Sequence, residues 1–505
     1  MKRQIAAFTF VLLLFLTACG GGEAPASSGS SSSADISQEE TPPAAPTPFT
    51  LAVYPEFSFH PALAASRANL TLAPLLYEPL FQVDGFFQAQ PVLCRSYTVS
   101  EDKLVWTFTL RGGITFSDGT PLTGETAAAA LELARGTGSR YAKRLAGVAG
   151  IAGEGGSVTI TLRRPSGSLP LLLDIPLALG DGERPAGTGP YVLAGEGEGL
   201  SLTARENWWQ RGEKTLPISA IPLHKVSRSD ELIYAFDAGD VSLVDVDLMA
   251  TNAMGYGGNY QTWDYSTTEF LYLGLNTRNG VCRDPQVRRL LAMAVDRNAI
   301  ASTVYAGHAM AAALPVHPSS GLYSQTAAAA FPAYNPEELA AQVEGQRLSG
   351  RTLTFLVNSE NVAKASAAQR ITYQLEAAGA AVELRQMPFE DYAAALVRGE
   401  FDLYLGETAL TADFDLTALL ASGGALNYSG WQDGETDGLL RALGAAAPEA
   451  RPAAAEALFA RLSDQVPIVP IAFKNGSVLT QWGKLSRLSP VRGNVFYQME
   501  NWTVK

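Results

Sequence analysis

Two short segments are apolar throughout, unlike the predicted strands in which apolar and polar residues alternate. Residues 270–275 and 468–473 are apolar or small on both alternating faces. A strand with this pattern is buried on both sides rather than lying at a sheet edge. A β-rich region precedes the first segment, and alternating helices and strands lie between the two. We therefore predict two lobes joined by two crossover strands, with a cleft between them that binds a ligand by closing.

The region before the first crossover strand has mainly a period of two. Residues 104–110 and 157–162 alternate between apolar and polar positions. This pattern predicts strands that are buried on one face. A short Ala-rich helix is predicted over residues 124–134, ending near Gly136.

Helical periodicity begins after residue 276. Asp284 is predicted to cap a helix with Pro285 at its first position. Asp296 is predicted to cap a second helix that runs to Tyr305, with Gly307 after its end.

A series of alternating elements follows further along. Strands are predicted over residues 353–357, 382–387 and 401–405, and helices over 361–378 and 391–398. This β-α-β-α-β order indicates a parallel sheet with right-handed crossovers. Ligands of such sheets lie beyond the carboxyl ends of the strands, so the segment 406–415 is expected to face the cleft.

The N-terminus has the pattern of a secretion signal. Lys2 and Arg3 precede a twelve-residue apolar run over residues 5–16, which is too short to span a bilayer stably. The run ends in Leu16-Thr-Ala-Cys19-Gly20, which resembles the lipobox of bacterial lipoproteins and implies acylation of Cys19. The alternative is an ordinary cleavage site with an incidental cysteine. Residues 20–48, rich in Gly, Ser, Ala, Pro and Thr, are expected to form a disordered tether.

Composition indicates the class of protein, and net charge excludes one class of partner. The 505 residues are 47% hydrophobic and 17% charged, which is typical of globular proteins with room for two or three domains. The formal net charge is −13, and removing residues 1–18, with Lys2 and Arg3, changes it to −15 (35 basic against 50 acidic). Such a surface repels phosphate backbones, so nucleic acid is not expected as a partner.

Several segments together resemble a known family. Their order matches the peptide/nickel-type (family 5) extracellular solute-binding proteins of ABC importers, over nearly all of residues 49–505. The matching segments are Leu76-Tyr-Glu-Pro-Leu80, Trp106-Thr-Phe-Thr-Leu-Arg111, Phe116-Ser-Asp-Gly-Thr-Pro-Leu122, Gly187-Thr-Gly-Pro-Tyr191, Asn207-Trp-Trp209, Leu273-Gly-Leu-Asn276, residues 287–297, Tyr334-Asn-Pro-Glu337 and Gln465-Val-Pro-Ile-Val-Pro470.

The resemblance implies an α/β, two-lobed fold like that of the periplasmic binding proteins (type II, cluster C), with an extra small domain inserted in the first lobe. The implied boundaries are a signal peptide (1–18), a lipidated Cys19 with a linker (19–48), a first lobe (49–90 and 185–272) with an inserted domain (91–184), a second lobe (273–473) and a return to the first lobe (474–505). The inserted domain is short for the family.

Asp413 is the leading ligand contact that the resemblance implies. In peptide-binding relatives an Ala-Asp-aromatic run supplies a carboxylate for the peptide's α-amino group, and Ala412-Asp413-Phe414 matches that run. A partly desolvated carboxylate makes a short, charge-assisted hydrogen bond to an ammonium group. Equally, Asp413 or Asp415 can cap the helix that starts near Leu416. The family often has Trp where this chain has Glu407, and a proline is missing at Leu416.

Four aromatic residues near the expected cleft are further candidates for contact with the ligand. Tyr428 and Trp431 belong to a segment that resembles a family segment near the cleft, and Trp263 and Tyr265 precede the first crossover strand. Buried packing is an equally good explanation for each of them. The candidate ligand contacts are therefore Asp413, Phe414, Glu407, Tyr428, Trp431, Trp263 and Tyr265.

The sequence carries no recognisable catalytic or metal-binding motif. The four histidines and three cysteines have no zinc-ligand spacing, and no nucleophile elbow is present. Cys94 and Cys282 are expected to be single buried thiols unless the fold pairs them. We expect no catalytic residue, no metal and no cofactor, although a secreted hydrolase or peptidase remains the alternative class.

The prediction is therefore a monomeric, membrane-tethered receptor outside the cytoplasm. Its expected partners are an oligopeptide or similar small solute, an ABC permease with its ATPase, and the membrane through the lipid on Cys19. A peptide-signal sensor, or a receptor for a nickel chelate or sugar, would share the same fold.

Overall fold

The computed structural model describes residues 48–250, 255–345, 348 and 350–505. The signal peptide, Cys19 and nearly all of the predicted linker lie outside the described residues. The strands, in chain order, are β1 Leu51–Val53, β2 Phe81–Val83, β3 Ala89–Pro91, β4 Cys94–Val99, β5 Val105–Leu110, β6 Val148–Glu154, β7 Ser157–Leu162, β8 Ala178–Leu179, β9 Ala186–Gly187, β10 Tyr191–Ala194, β11 Ser201–Ala204, β12 Ala220–Lys225, β13 Leu243–Val246, β14 Tyr260–Leu275, β15 Ala309–Ala311, β16 Thr352–Asn358, β17 Ala381–Met387, β18 Leu403–Ala409, β19 Ile468–Gln481, β20 Leu485–Ser486 and β21 Thr503–Val504.

Helices cover most of the connections. They are α1 Arg67–Leu76, α2 Gly124–Arg135, α3 Ser229–Ala238, α4 Pro285–Met293, α5 Arg297–Ala299, α6 Gln325–Ala330, α7 Pro336–Gly345, α8 Val362–Ala377, α9 Phe389–Arg398, α10 Thr417–Leu420, α11 Gly434–Ala445 and α12 Arg451–Gln465. Short 3₁₀ turns lie at Leu169–Leu172, Gly197–Gly199, Val281–Arg283 and Met499–Asn501, and a π-turn lies at Ile300–Val304.

One mixed sheet runs through the whole described molecule. Its strand order is β10-β11-β12-β1-β13-β19-β14-β18-β16-β17, with β15 added beside β19. The two predicted crossover strands are β14 and β19, which pair antiparallel at its centre. They are longer than the apolar segments that predict them, because β14 begins with a half that is partly exposed and β19 stays buried well beyond Phe473.

The pairing of β14 with β19 shifts register twice, once between Leu271 and Tyr272 and once, with the larger gap, between Ser266 and Phe270. Ser266 pairs with Asn475 and Phe270 pairs with Phe473. Three residues of β14 (267–269) therefore lie opposite a single residue of β19, Lys474. We call these four residues the hinge. The Thr267 hydroxyl donates a hydrogen bond to the Lys474 carbonyl over 2.6 Å and closes the gap.

The hydrophobic cores divide at the hinge. Two buried clusters are built mainly from residues between 270 and 473, and three are built from residues 49–265 together with residues 478–502. We call residues 48–266 with 475–505 the first lobe, and residues 270–473 the second lobe. Separate cores linked through two strands are the arrangement that hinge closure needs.

The predicted elements of the second lobe are confirmed with small shifts. Strand β16 pairs parallel with both β17 and β18. The Asp284 side chain caps α4 by accepting a hydrogen bond from the Gln286 amide. The helix after Asp296 differs from the prediction, because α5 changes after Ala299 into the π-turn.

The first lobe carries a second, smaller sheet. Strands β4, β5, β7 and β6 form it in that order, all antiparallel, and α2 packs on one face. The predicted alternation is confirmed, since Trp106, Phe108 and Leu110 are buried in one apolar cluster. Cys94 and Cys282 are both buried free thiols, as predicted.

Candidate ligand-binding cleft

A cavity of about 530 Å³ lies between the lobes at the hinge. Its walls come from α1, the loops of the first lobe, the hinge and the end of β18 in the second lobe. The charged residues that line it are Arg67, Arg140, Arg144, Asp174, Asp245, Asp247, Glu269, Lys474 and Arg492. Its size falls within the range of roughly 300–1,000 Å³ that is usual for small-ligand sites.

Lys474 connects the two lobes through its ammonium group. Its Nζ lies 2.8 Å from Glu407 Oε1 in the second lobe and 3.2 Å from Asp247 Oδ2 in the first lobe. Burial disfavours the charge on Lys474, but the two carboxylates outweigh this effect and raise its pKa. The other oxygen of Glu407, Oε2, is buried and has no hydrogen-bond partner among the described residues.

Glu269 is the hinge carboxylate that faces the cavity. It precedes the fully buried Phe270, and its backbone pairs with Ala409 of β18. Burial, followed by the nearby charge of Glu407, raises the pKa of Glu269. Within the described residues its carboxylate has no ion-pair or hydrogen-bond partner.

A second group of charged residues in the cavity wall is rich in arginine. Asp174 accepts hydrogen bonds from two guanidinium groups, that of Arg144 and that of Arg492, the latter over 2.6 Å. The Arg144 guanidinium also lies 5.0 Å from the centre of the Tyr141 ring. Arg140 lies 5.6 Å from the same ring and is exposed.

A third charged group lies beside α1. Arg67 donates to Asp245 over 3.2 Å, and the Tyr265 hydroxyl donates to the same carboxylate oxygen over 2.8 Å. The structure thus brings Tyr265, one of the residues singled out from the sequence, to the cavity wall. Burial and the charge of Asp245 raise the pKa of Tyr265, so it acts as a hydrogen-bond donor.

A second, smaller cavity between the lobes has a volume of about 340 Å³. Asp413 lies where the lobes meet, but it lines neither this cavity nor the one at the hinge. Its Oδ2 accepts a hydrogen bond from Ser168 Oγ of the first lobe over 2.8 Å, and its Oδ1 accepts one from Thr411 Oγ1 over 2.5 Å. Arg451 donates to its backbone carbonyl. Asp413 does not cap α10, because Asp415 accepts the hydrogen bond from the Thr417 amide instead.

Two more of the predicted contacts lie beside Asp413 and the hinge. Phe414 has a left-handed backbone (φ 55°) and packs against Phe87 of the first lobe and Phe473 of β19. Glu407 reaches the cleft only through Lys474.

The other aromatic candidates are engaged in packing. The Trp431 indole donates to Thr436 Oγ1 and lies below the Arg288 guanidinium. Tyr428 packs edge-on against Tyr404, and the Trp263 indole donates to Thr480 Oγ1. None of the three lines the cavity at the hinge. Their role as ligand contacts stays a prediction.

Most of the charged residues that line the cavity at the hinge are not among the residues predicted from the sequence. Glu269 and Lys474 carry a local signal, since each is a charged residue directly next to an apolar crossover segment. No local signal identifies Arg140, Arg144 and Arg492, because the fold brings them together from distant parts of the chain.

Neither a metal site nor a membrane span is found in the part of the chain that the structure describes. No group of three or more His, Cys, Asp and Glu side chains there is arranged to hold a metal ion. None of the described helices has the length and apolar character that a bilayer crossing needs.

Comparisons with known proteins agree with this architecture. The profile of the bacterial extracellular solute-binding proteins, family 5 (middle region), matches residues 88–429. The glutathione-binding protein GsiB of Salmonella choleraesuis is 24% identical over 304 residues, which cover 54% of this chain and 59% of that protein. The probable D,D-dipeptide-binding periplasmic protein DdpA of Escherichia coli K12 is 22% identical over 377 residues, which cover 68% of this chain and 71% of that protein.

Solved structures show the same fold. HbpA2 from Haemophilus parasuis superposes with a TM-score of 0.75 at 19% identity, covering 90% of this chain and 99% of that one. The open, unliganded murein tripeptide-binding protein MppA superposes with a TM-score of 0.74 at 18% identity, covering 91% of this chain and 97% of that one. The two-lobed, periplasmic-binding-protein-like fold is therefore confirmed. The chain belongs to the bacterial extracellular solute-binding proteins of family 5.

Proposed function

We propose that this protein is the receptor of an ABC importer and that it captures short peptides in the interlobe cleft. The observation that carries the proposal is the cavity at the hinge, which has charged walls from the first lobe and the hinge and is closed by Ala409 and Leu410 of the second lobe. A ligand that contacts both walls shifts the population of the hinge toward the closed arrangement. The permease and its ATPase would then receive the loaded, closed form.

The names of the relatives favour a peptide as the solute. GsiB binds glutathione, DdpA is a probable D,D-dipeptide-binding protein and MppA binds a murein tripeptide. Ligands of this kind carry both charges, and the cavity offers both. A nickel chelate is the second candidate, because NikZ with Ni(L-His) also shares the fold.

Tyr265 is the predicted contact with the strongest support, since it lines the cavity. For Asp413 and Phe414 we propose a role at the interlobe contact, where a ligand that reaches this region would meet them. Glu407 acts through Lys474.

The N-terminal segment is proposed to tether the receptor to the outer face of the membrane. Cys19 would carry the lipid, and two acyl chains anchor stably where one does not. Membrane fractionation tests this part on its own, since Cys19→Ser should move the protein from the membrane to the soluble fraction.

A thermal-shift screen tests the peptide assignment. Ligand binding stabilises the folded state by mass action, and a ligand at about 100 times its Kd adds roughly 2.7 kcal/mol. Pools of di- to pentapeptides should raise Tm. A shift with nickel-histidine or a sugar, and none with any peptide, would reject the assignment. Recovery of the peptide unchanged distinguishes a receptor from a peptidase.

A further inference from the structure

The charged side chains at the cleft form two groups, and in each group the positive and negative charges are unequal in number. At the hinge, three carboxylates (Asp247, Glu269 and Glu407) surround one cation, Lys474. Counting unit charges, this end carries 1 − 3 = −2. The pair of Arg67 and Asp245 is neutral and adds nothing to either end.

The arginine side has the opposite excess. Arg140, Arg144 and Arg492 line the cavity together with Asp174. Asp174 pairs with two of the three guanidinium groups. This end therefore carries 3 − 1 = +2. The hinge group and the arginine group of the cavity lining therefore carry net charges of opposite sign.

One group at each end is open to a ligand. Glu269 has no ion-pair partner among the described residues, and Arg140 has none there either. The Arg140 guanidinium is exposed and lies only against Tyr141. A desolvated carboxylate without a partner gains most from an ammonium group, and a guanidinium group binds a carboxylate through two parallel hydrogen bonds.

We infer that the ligand of this cleft is a short zwitterion, such as a free di- or tripeptide, whose ammonium group contacts Glu269 and whose carboxylate contacts Arg140 and Arg144. This inference rests on the proposed function and specifies the ligand class of the same site. A neutral solute would leave the net charges of both the hinge group and the arginine group uncompensated. A peptide capped at one end would leave one end uncompensated.

The ligand's ammonium group is thus assigned to Glu269 rather than to Asp413. Both oxygens of the Asp413 carboxylate accept hydrogen bonds from hydroxyl groups, and the residue lines neither interlobe cavity. Glu269 lines the cavity and is unpaired.

Four forms of one tripeptide panel test the inference on the mature protein. The forms are free, N-acetylated, C-amidated and capped at both ends, and binding is measured by calorimetry. We expect the free peptides to bind at least tenfold more tightly than either singly capped form. Glu269→Gln should lower the affinity for the free peptide tenfold or more. The same substitution should leave the affinity for the N-acetylated peptide unchanged, because that form has no ammonium group to lose. Arg140→Gln should likewise lower the affinity for the free peptide tenfold or more and leave the affinity for the C-amidated peptide unchanged.

Exposed residues outside the cleft supply matched controls. Glu206→Gln and Arg163→Gln make the same chemical changes on the surface of the first lobe and should bind like the wild type. Equal binding of free and capped peptides, or wild-type affinity in Glu269→Gln, would overturn the inference while leaving the receptor function intact. If no peptide in any form binds, the proposed function fails and the inference with it.

Discussion

Ser168 of the first lobe donates a hydrogen bond to the carboxylate of Asp413 in the second lobe over 2.8 Å. The two residues are 245 positions apart in the chain, and both are buried. The neighbouring Gly167 amide donates to the Gly444 carbonyl, and Lys103 donates to the Ala445 carbonyl at the end of α11. Polar contacts between residues that do not line the cavity at the hinge thus hold the lobes together.

Removing the Ser168 hydroxyl should weaken the contact between the lobes. A hydrogen bond to a charged group contributes about 1.5–3 kcal/mol, and Ser168→Ala removes one such bond. We expect faster ligand release and a larger radius of gyration in small-angle scattering. Ser96→Ala, on the exposed face of the smaller sheet, is the control. If Ser168→Ala and Asp413→Asn have strictly additive effects, the hydrogen bond does not couple the lobes.

Lys474 should be essential for stability. Lys474→Met leaves the carboxylates of Glu407 and Asp247 without their cation, and breaking a buried ion pair in this way costs about 3–5 kcal/mol. Urea unfolding should show a loss of this size. Lys484→Met changes an exposed lysine three residues beyond the end of β19, and should stay within about 0.5 kcal/mol of the wild type. A small loss for Lys474→Met would mean that water already solvates the two carboxylates.

At two positions where β14 pairs with β18, a glycine lies opposite a tyrosine, and we expect that no larger residue can replace it. Gly406 pairs with Tyr272, and Gly274 pairs with Tyr404. A Cβ atom at Gly406 would lie 2.3 Å from the Tyr272 ring. Gly406→Ala should therefore destabilise the fold by about 1–3 kcal/mol, as overpacking does.

The control for this change is Gly434 at the first position of α11, where an added Cβ meets nothing within 4 Å. Gly434→Ala should be neutral or stabilising in the same thermal unfolding assay. A neutral Gly406→Ala would show that the Tyr272 ring can move aside.

Stability should fall on acidification because of His317. Its ring is buried against Phe87 and Phe473, and burial lowers its pKa from 6.5 to about 4. The unfolded chain therefore takes up a proton on this residue before the folded chain does. The stabilisation is complete above pH 6.5 and is lost as the pH falls from 6.5 toward about 4.

His317→Asn should remove this part of the pH dependence. The amide oxygen can still accept the hydrogen bond that the Ser319 amide gives to His317 Nδ1. The free energy of unfolding, measured in urea between pH 8 and pH 4, should have a smaller slope in the variant. Equal slopes would show that the ring is hydrated.

The sequence predicts those parts of the fold that local patterns determine. The limits of β7, the cap at Asp284 and the parallel order of β16, β17 and β18 all follow from periodicity and capping chemistry. The crossover strands follow from their continuous apolar pattern. The family resemblance supplied the two-lobed arrangement and the candidate Asp413.

The charged cleft depends on pairings that no local pattern encodes. Glu269 and Lys474 both line the cavity because two strands about 200 residues apart lose their regular pairing between Ser266 and Phe270. Arg144 and Arg492 meet at Asp174 only after the C-terminal segment has returned to the first lobe. Long-range convergence of this kind is decided by tertiary packing rather than by propensity.

The interruption opposite Lys474 gives β14 two residues more than β19 over the same span (three against one). Side chains alternate with a period of two, so an even excess leaves the orientation of the strand unchanged on either side. The molecule can therefore flex at this point without exchanging its inward and outward faces. An insertion or deletion of a single residue here would turn one half of the strand inside out, whereas a pair of residues would be tolerated.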